Sequence, residues 1–173
     1  MVEGRKQMKP VHGIVVACLA LLLFTAGSTS PASALGLSSA GVRLGATDPE
    51  GGNASLSGGG HLEFEESGSR FHLTPSVLFW SNDGLSDVNP NIDVYYHFEP
   101  AGHVTPYLGA GAALHIYSAD GPADPGTDMG LNLFGGVQFP MGGASRLFGE
   151  ARYSASDISQ TSFFGGITFP ISH

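Results

Sequence analysis

The sequence predicts an all-β protein, an eight-stranded antiparallel up-and-down transmembrane β-barrel. Three observations lead there. Apolar and polar residues alternate at period two through eight short segments. The connections between those segments alternate in length, four longer and polar, three tight. And the 173-residue chain opens with a stretch suited to export.

Residues 1–34 read as a signal peptide. Arg5, Lys6 and Lys9 precede a wholly apolar run over 14–24, and Ala32-Ser33-Ala34 follows as a small-x-small cleavage site. The apolar run is too short to cross a bilayer as a helix, which takes about 20 residues. Val15-Val16-Ala17-Cys18 has the look of a lipidation box, yet more apolar residues follow Cys18 than precede it, so a lipoprotein is not predicted. Cys18 is the sole cysteine and leaves with the signal. Residues 35–173 then form one barrel domain with no disulfide to support a small core.

That domain has no lysine and sets four arginines against 14 carboxylates, a formal charge of −10. Such a balance excludes nucleic acid as a partner, because a positive surface supplies much of that affinity. No apolar stretch of helical span length follows the signal. A membrane barrel needs none, since each strand shows lipid only every second residue.

Strand one covers 38–46, with Val42, Leu44 and Ala46 opposite Arg43. Strand two, 59–66, points Leu62 and Phe64 outward and His61, Glu63 and Glu65 inward. Strand three, 71–80, sets Phe71, Leu73, Pro75, Val77 and Phe79 against His72, Thr74, Ser76, Leu78 and Trp80. Strand four, 91–99, alternates most cleanly: Ile92, Val94, Tyr96 and Phe98 one way, Asp93, Tyr95, His97 and Glu99 the other. Strand five, 104–117, carries Leu108, Ala110, Ala112, Leu114 and Ile116 outside and Tyr107, Gly109, Gly111, His115 and Tyr117 inside. Strand six, 129–139, turns Leu131, Leu133, Val137 and Phe139 out and Asn132, Phe134 and Gln138 in. Strand seven, 146–155, has Leu147, Ala151 and Tyr153 against Phe148, Glu150 and Arg152. Strand eight, 161–169, has Phe163, Ile167 and Phe169 against Ser162, Phe164 and Thr168.

A soluble sheet alternates too, but its wet face is usually richer in Lys and Glu. Here the polar face mixes Gly, Ala, aromatics and a few charges, which suits a narrow packed interior. Pro75 and Pro106 fall on the apolar face, where a missing N–H disturbs a ladder, so a rim or bulge is expected there. The polar stretches 47–58, 81–90, 118–128 and 156–160 read as the longer connections, and 67–70, 100–103 and 140–145 as tight turns. With both termini periplasmic, the longer set lies outside the cell. An eight-stranded barrel is filled by side chains or holds one small ligand, so no open water pore is expected.

Three segments carry a family resemblance: Thr105-Pro106-Tyr107-Leu108-Gly109-Ala110-Gly111-Ala112-Ala113, Asp93-Val94-Tyr95-Tyr96-His97-Phe98 and Phe163-Phe164-Gly165-Gly166-Ile167-Thr168-Phe169. Over about residues 37–170 the chain resembles the small outer-membrane β-barrel superfamily, including the outer-membrane protein A-like barrels. Those barrels usually finish on an aromatic residue that signals assembly; here Pro-Ile-Ser-His follows Phe169. The resemblance implies a bacterial outer-membrane protein, exported through a cleaved signal peptide, with outer-membrane lipids and lipopolysaccharide as partners. The superfamily includes a lipid A deacylase family with a membrane-facing His-Ser pair, for which this chain offers His97 or His115 with Ser118.

Arg43, Glu63, Glu65, Asp93, Glu99, Glu150 and Arg152 form the expected inward charged set. Glu150 and Arg152 share a face of strand seven, and barrel closure brings Arg43 within two strands of them. In a low-dielectric interior such charges must be paired, so they read as an ion-pair plug. His72, His97 and His115 face inward, and with Asp93 nearby invite a zinc or general-base reading. Their spacings match no ligand motif, and barrel-filling is the expectation. Asp48, Glu50, Asp83, Asp87, Asp120, Asp124, Asp128 and Asp157 fall on the longer connections with no Lys or Arg among them. Divalent cations could bridge them to lipopolysaccharide, and a solvated acidic rim is the simpler reading.

The sequence therefore assigns no catalytic, cofactor-binding or metal-ligating residue and no cofactor. It predicts a monomeric, non-catalytic surface or structural barrel. The alternatives are a lipid A deacylase-like enzyme and a soluble periplasmic barrel with its apolar face turned inward around a small ligand.

Overall fold

The computed structural model describes residues 35–82, 84–119 and 126–171. The export segment 1–34 with Cys18, and Asp83, Asp120 and Asp124, lie outside the described residues. The strands are β1 (Gly36–Pro49), β2 (Ser55–Glu65), β3 (Phe71–Asn82), β4 (Leu85–His97), β5 (Thr105–Ala119), β6 (Thr127–Pro140), β7 (Arg146–Ala155) and β8 (Gln160–Pro170). Each pairs antiparallel with its sequence neighbours, and β1 pairs with β8 from Ser39↔Pro170 to Pro49↔Gln160, closing the barrel.

Period two decides what each face meets. Leu131, Leu44, Ile92 and Val42 stand 70, 62, 60 and 56 % exposed on the exterior. Asp93, Glu63 and Arg152 are 1, 2 and 4 % exposed inside. This is the inverse of a soluble barrel, whose apolar residues fill the middle, so the soluble ligand-binding alternative is set aside. Exposed apolar surface on this scale is costly in water and suits hydrocarbon. Phe71, Tyr96 and Phe98 stack outward, with ring centroids 5.0 and 5.2 Å apart, beside the turns 66–70 and 98–104. Aromatics in that position form the girdle of a membrane barrel at its interface.

The expected alternation of long and short connections does not hold. Among the described residues, the connections 50–54 and 156–159 at one end are no longer than 66–70, 98–104 and 141–145 at the other. The strands reach further than their apolar positions suggested. Among the described residues, 81–90 are not a loop but the tips of β3 and β4, with Gly84 between them at a φ of 82°. Their polarity has another cause: Asp87, Asn89 and Asn91 line the interior.

Two prolines open the ladder on one side. Pro75 pairs with Ile92 of β4, while the β2–β3 pairing lapses between His61↔Ser76 and Phe64↔Leu73. Pro90 pairs with Val77, while the β4–β5 pairing lapses between Val88↔Ile116 and Asn91↔Ala113. Pro106 sits at the rim as expected, second in β5, and its carbonyl accepts from Phe98 N at 2.9 Å. The register shift lies elsewhere, in β1 between Leu37 and Ser39.

Candidate functional site

Among the described residues the interior of the barrel is where the fold concentrates titratable groups away from water, and three clusters occupy it in sequence from end to end.

At the centre, Arg43 Nη1 donates to Glu150 Oε1 at 2.9 Å, and Arg152 Nε donates to the same oxygen at 3.0 Å. Arg152 Nη1 lies 2.8 Å from Asp93 Oδ2. The Tyr107 hydroxyl donates to Glu150 Oε2 at 3.0 Å, and Asn132 Nδ2 donates to Asp93 Oδ1 at 3.0 Å. The Arg152 guanidinium lies 4.3 Å from the centre of the Phe134 ring. Two arginines and two carboxylates thus cancel in a buried quartet, the form in which interior charge is tolerated. The topology explains the reach: Arg43 crosses β8 to β7, and Arg152 crosses the lumen to β4. Gly111 clears the way on β5, since a Cβ there would stand 2.1 Å from Asp93 Oδ1.

Toward the end that carries both termini, Arg146 pairs with Glu63, and its Nη2 donates to Ser39 Oγ at 3.2 Å. His72 Nε2 and His97 Nδ1 are 3.0 Å apart. Glu65 Oε2 is 3.2 Å from His72 Nδ1. Tyr95 stacks flat on His72, with centroids 4.8 Å apart and planes at 1°.

Toward the opposite end, His115 Nδ1 is 2.7 Å from Asp87 Oδ2, and its Nε2 is 3.0 Å from Ser154 Oγ. A carboxylate only accepts, so Nδ1 donates to Asp87; Asn89 Nδ2 lies 2.6 Å from the same nitrogen. Ile116 N and Gln160 Nε2 donate to Asp87 at 3.1 and 3.2 Å, and Trp80 Nε1 donates to Gln160 Oε1 at 3.1 Å. Gly130 makes the room, because a Cβ there would lie 2.8 Å from His115 Nε2. His115 is wholly buried.

Two small cavities flank Arg152, which lines both, and each has room for about one water. The packed lumen predicted from eight strands is therefore present, as is the Arg43, Glu150, Arg152 and Asp93 plug.

Several sequence assignments change. Glu99 is not inward: β4 stops at His97, and Glu99 pairs on the exterior turn with Arg70, whose guanidinium it holds above its usual pKa. Asp87 is not a rim acid but the partner of His115. His72, His97 and His115 do not gather around Asp93; two share one end, the third lies at the other, and Asp93 serves Arg152. Ser118 faces outward, away from His115, so the His-Ser pair offered by resemblance does not form there. Ser154 takes that place and Arg146 joins the lumen. Both lie on inward positions of β7, so the alternation of Phe148, Glu150 and Arg152, continued in both directions, held the signal.

Fold and interior together define the class: an eight-stranded barrel of the outer-membrane type, apolar outside and filled with paired polar side chains. No protein-family model matches the chain, and no curated protein matches it by sequence. Among solved structures it is similar to Neisserial surface protein A, with a TM-score of 0.65 and 17 % identity over 78 % of this chain and 96 % of that one. It is also similar to Ail, the attachment invasion locus protein of Yersinia pestis (TM-score 0.52, 14 % identity, 78 % and 97 % covered). A third is the outer membrane enzyme PagL (TM-score 0.50, 13 % identity, 77 % and 99 % covered). At these identities the likeness is one of fold, and that fold hosts an enzyme as well as surface proteins.

Proposed function

We propose that the protein resides in the bacterial outer membrane as a non-catalytic barrel with a structural or surface-interaction role. Its exterior fits lipid and lipopolysaccharide chains. With both termini on the periplasmic side, the turns 50–54 and 156–159 face outward. One observation carries the reading: the neutral quartet of Arg43, Asp93, Glu150 and Arg152 closes the middle of the lumen. A conduit would need a continuous free path, and an interior enzyme would need a pocket larger than a water.

Fractionation of cells making the full chain, followed by gels of boiled and unboiled samples, tests it. The expected result is a detergent-extracted protein with heat-modifiable mobility, no conductance in planar bilayers and no release of acyl chains from lipid A. Recovery by osmotic shock alone would overturn the membrane reading, and deacylation would overturn the non-catalytic one.

Hydrolysis has one observation in its favour. Asp87, His115 and Ser154 stand in the order and spacing of a base-activated serine nucleophile. A fluorophosphonate probe decides it. Labelling of Ser154 that disappears in His115→Gln would favour an enzyme. An unlabelled, correctly folded barrel leaves Ser154 a structural hydroxyl.

A further inference from the structure

We propose that His72 and His97 form a two-imidazole binding site for a late first-row divalent metal ion, Cu2+ foremost, at the terminus-bearing end of the lumen. The chemistry of the donors, their spacing and the carboxylate near them support it.

His72 Nε2 and His97 Nδ1 face one another at 3.0 Å. Metal–imidazole bonds of about 2.0–2.1 Å drawn from both nitrogens would meet at an angle of about 95°. That is close to the cis angle of a tetragonal centre, the geometry that Cu2+ prefers with nitrogen and oxygen ligands, and tighter than a tetrahedral one. The two residues are fixed independently. His72 lies on β3 opposite Tyr95 and beneath its ring. His97 ends β4, where its backbone N donates to Arg70 O at 2.9 Å.

The far nitrogen of His72, Nδ1, has Glu65 Oε2 at 3.2 Å. The contact is within ion-pair distance without being a hydrogen bond; brought into line, it would supply the carboxylate that many metal centres place behind a ligating imidazole. The local charge is favourable as well. Glu63 and Arg146 compensate each other, which leaves Glu65 as the uncompensated charge beside neutral imidazoles. The Glu65 side chain is 37 % exposed and His97 is half-buried, while His72 is buried, so His97 and Glu65 form the outer side of the pair. Among the described residues no group of three or more His, Cys, Asp and Glu side chains could hold a metal. The protein ligands of the site are therefore the two imidazoles alone, with the remaining positions left to water.

Titration of the full-length mature barrel in detergent with CuCl2, followed by calorimetry and electron paramagnetic resonance, tests the assignment. One saturable equivalent is expected, with hyperfine structure from two nitrogens and weaker competition by Zn2+. His72→Ala should abolish it. His97→Gln, at a half-exposed position, should leave a one-nitrogen signal and at least tenfold weaker binding. Glu65→Gln should weaken it by about tenfold. His103→Ala, on an exposed turn, should change nothing. Heat-modifiable mobility verifies that each variant is folded. Absence of saturable binding, or copper retained unchanged by folded His97→Gln, would overturn the proposal, as would loss of binding in His103→Ala.

Discussion

Arg152 and Ile92 belong to the two faces of one wall, and they show how differently the same sheet is stabilised inside and out. Inside, Arg152 is held by Glu150, Asp93 and the Phe134 ring, and each contact is specific. Outside, Ile92 stands 60 % exposed with no particular partner, and any apolar residue of similar size would serve. The interior depends on pairing and geometry. The exterior depends only on transfer from water to hydrocarbon. Substitutions on the two faces should therefore fail for different reasons.

The largest effect is expected from Glu150→Ala. It strands Arg43 and the Tyr107 hydroxyl and leaves Arg152 with Asp93 alone, and loss of one partner from a buried ion pair costs about 3–5 kcal/mol. Urea unfolding in lipid vesicles should register it. Next is Ile92→Arg, at mid-strand on the exterior, with about 2–4 kcal/mol expected near the bilayer midplane. The same substitution in detergent should cost less, because the charge can reach the micelle surface; an equal cost in both media would contradict the lipid-facing assignment. Asp87→Asn replaces the charged acceptor of His115 Nδ1 by a neutral amide and sets an NH2 group among the donors Ile116 N and Gln160 Nε2; it should cost about 1–3 kcal/mol by the same assay. Arg70→Ala breaks an ion pair on an exposed turn and should leave the unfolding midpoint where it was. A measurable loss there would show that the rim matters more than the comparison allows.

The inward and outward assignment of all eight strands was legible because period two is a local property. Strand ends were less so. At Asp87 and Asn89 polarity signals a wet lumen, and sequence alone does not distinguish that from a loop. The central plug was legible for the same reason as the strands: closure follows from eight alternating segments, and it brings Arg43 to β7. The Asp87–His115–Ser154 cluster was not. It joins β4, β5 and β7 at one height, and height depends on the stagger of strands around the barrel. The His72–His97 contact was hidden likewise, since two inward positions on neighbouring strands meet only if the register sets them level.

Closure has a consequence for how the chain is made. The partner of β1 is β8, so Ser39 waits for Pro170, synthesised long after it. Contacts of such sequence separation form slowly. Until they form, β1 and whichever strand leads the growing sheet both offer unsatisfied edges, an invitation to mispairing between molecules. A polypeptide of this design has to be carried from the ribosome to its destination unfolded and shielded, and its last strand acts as the latch.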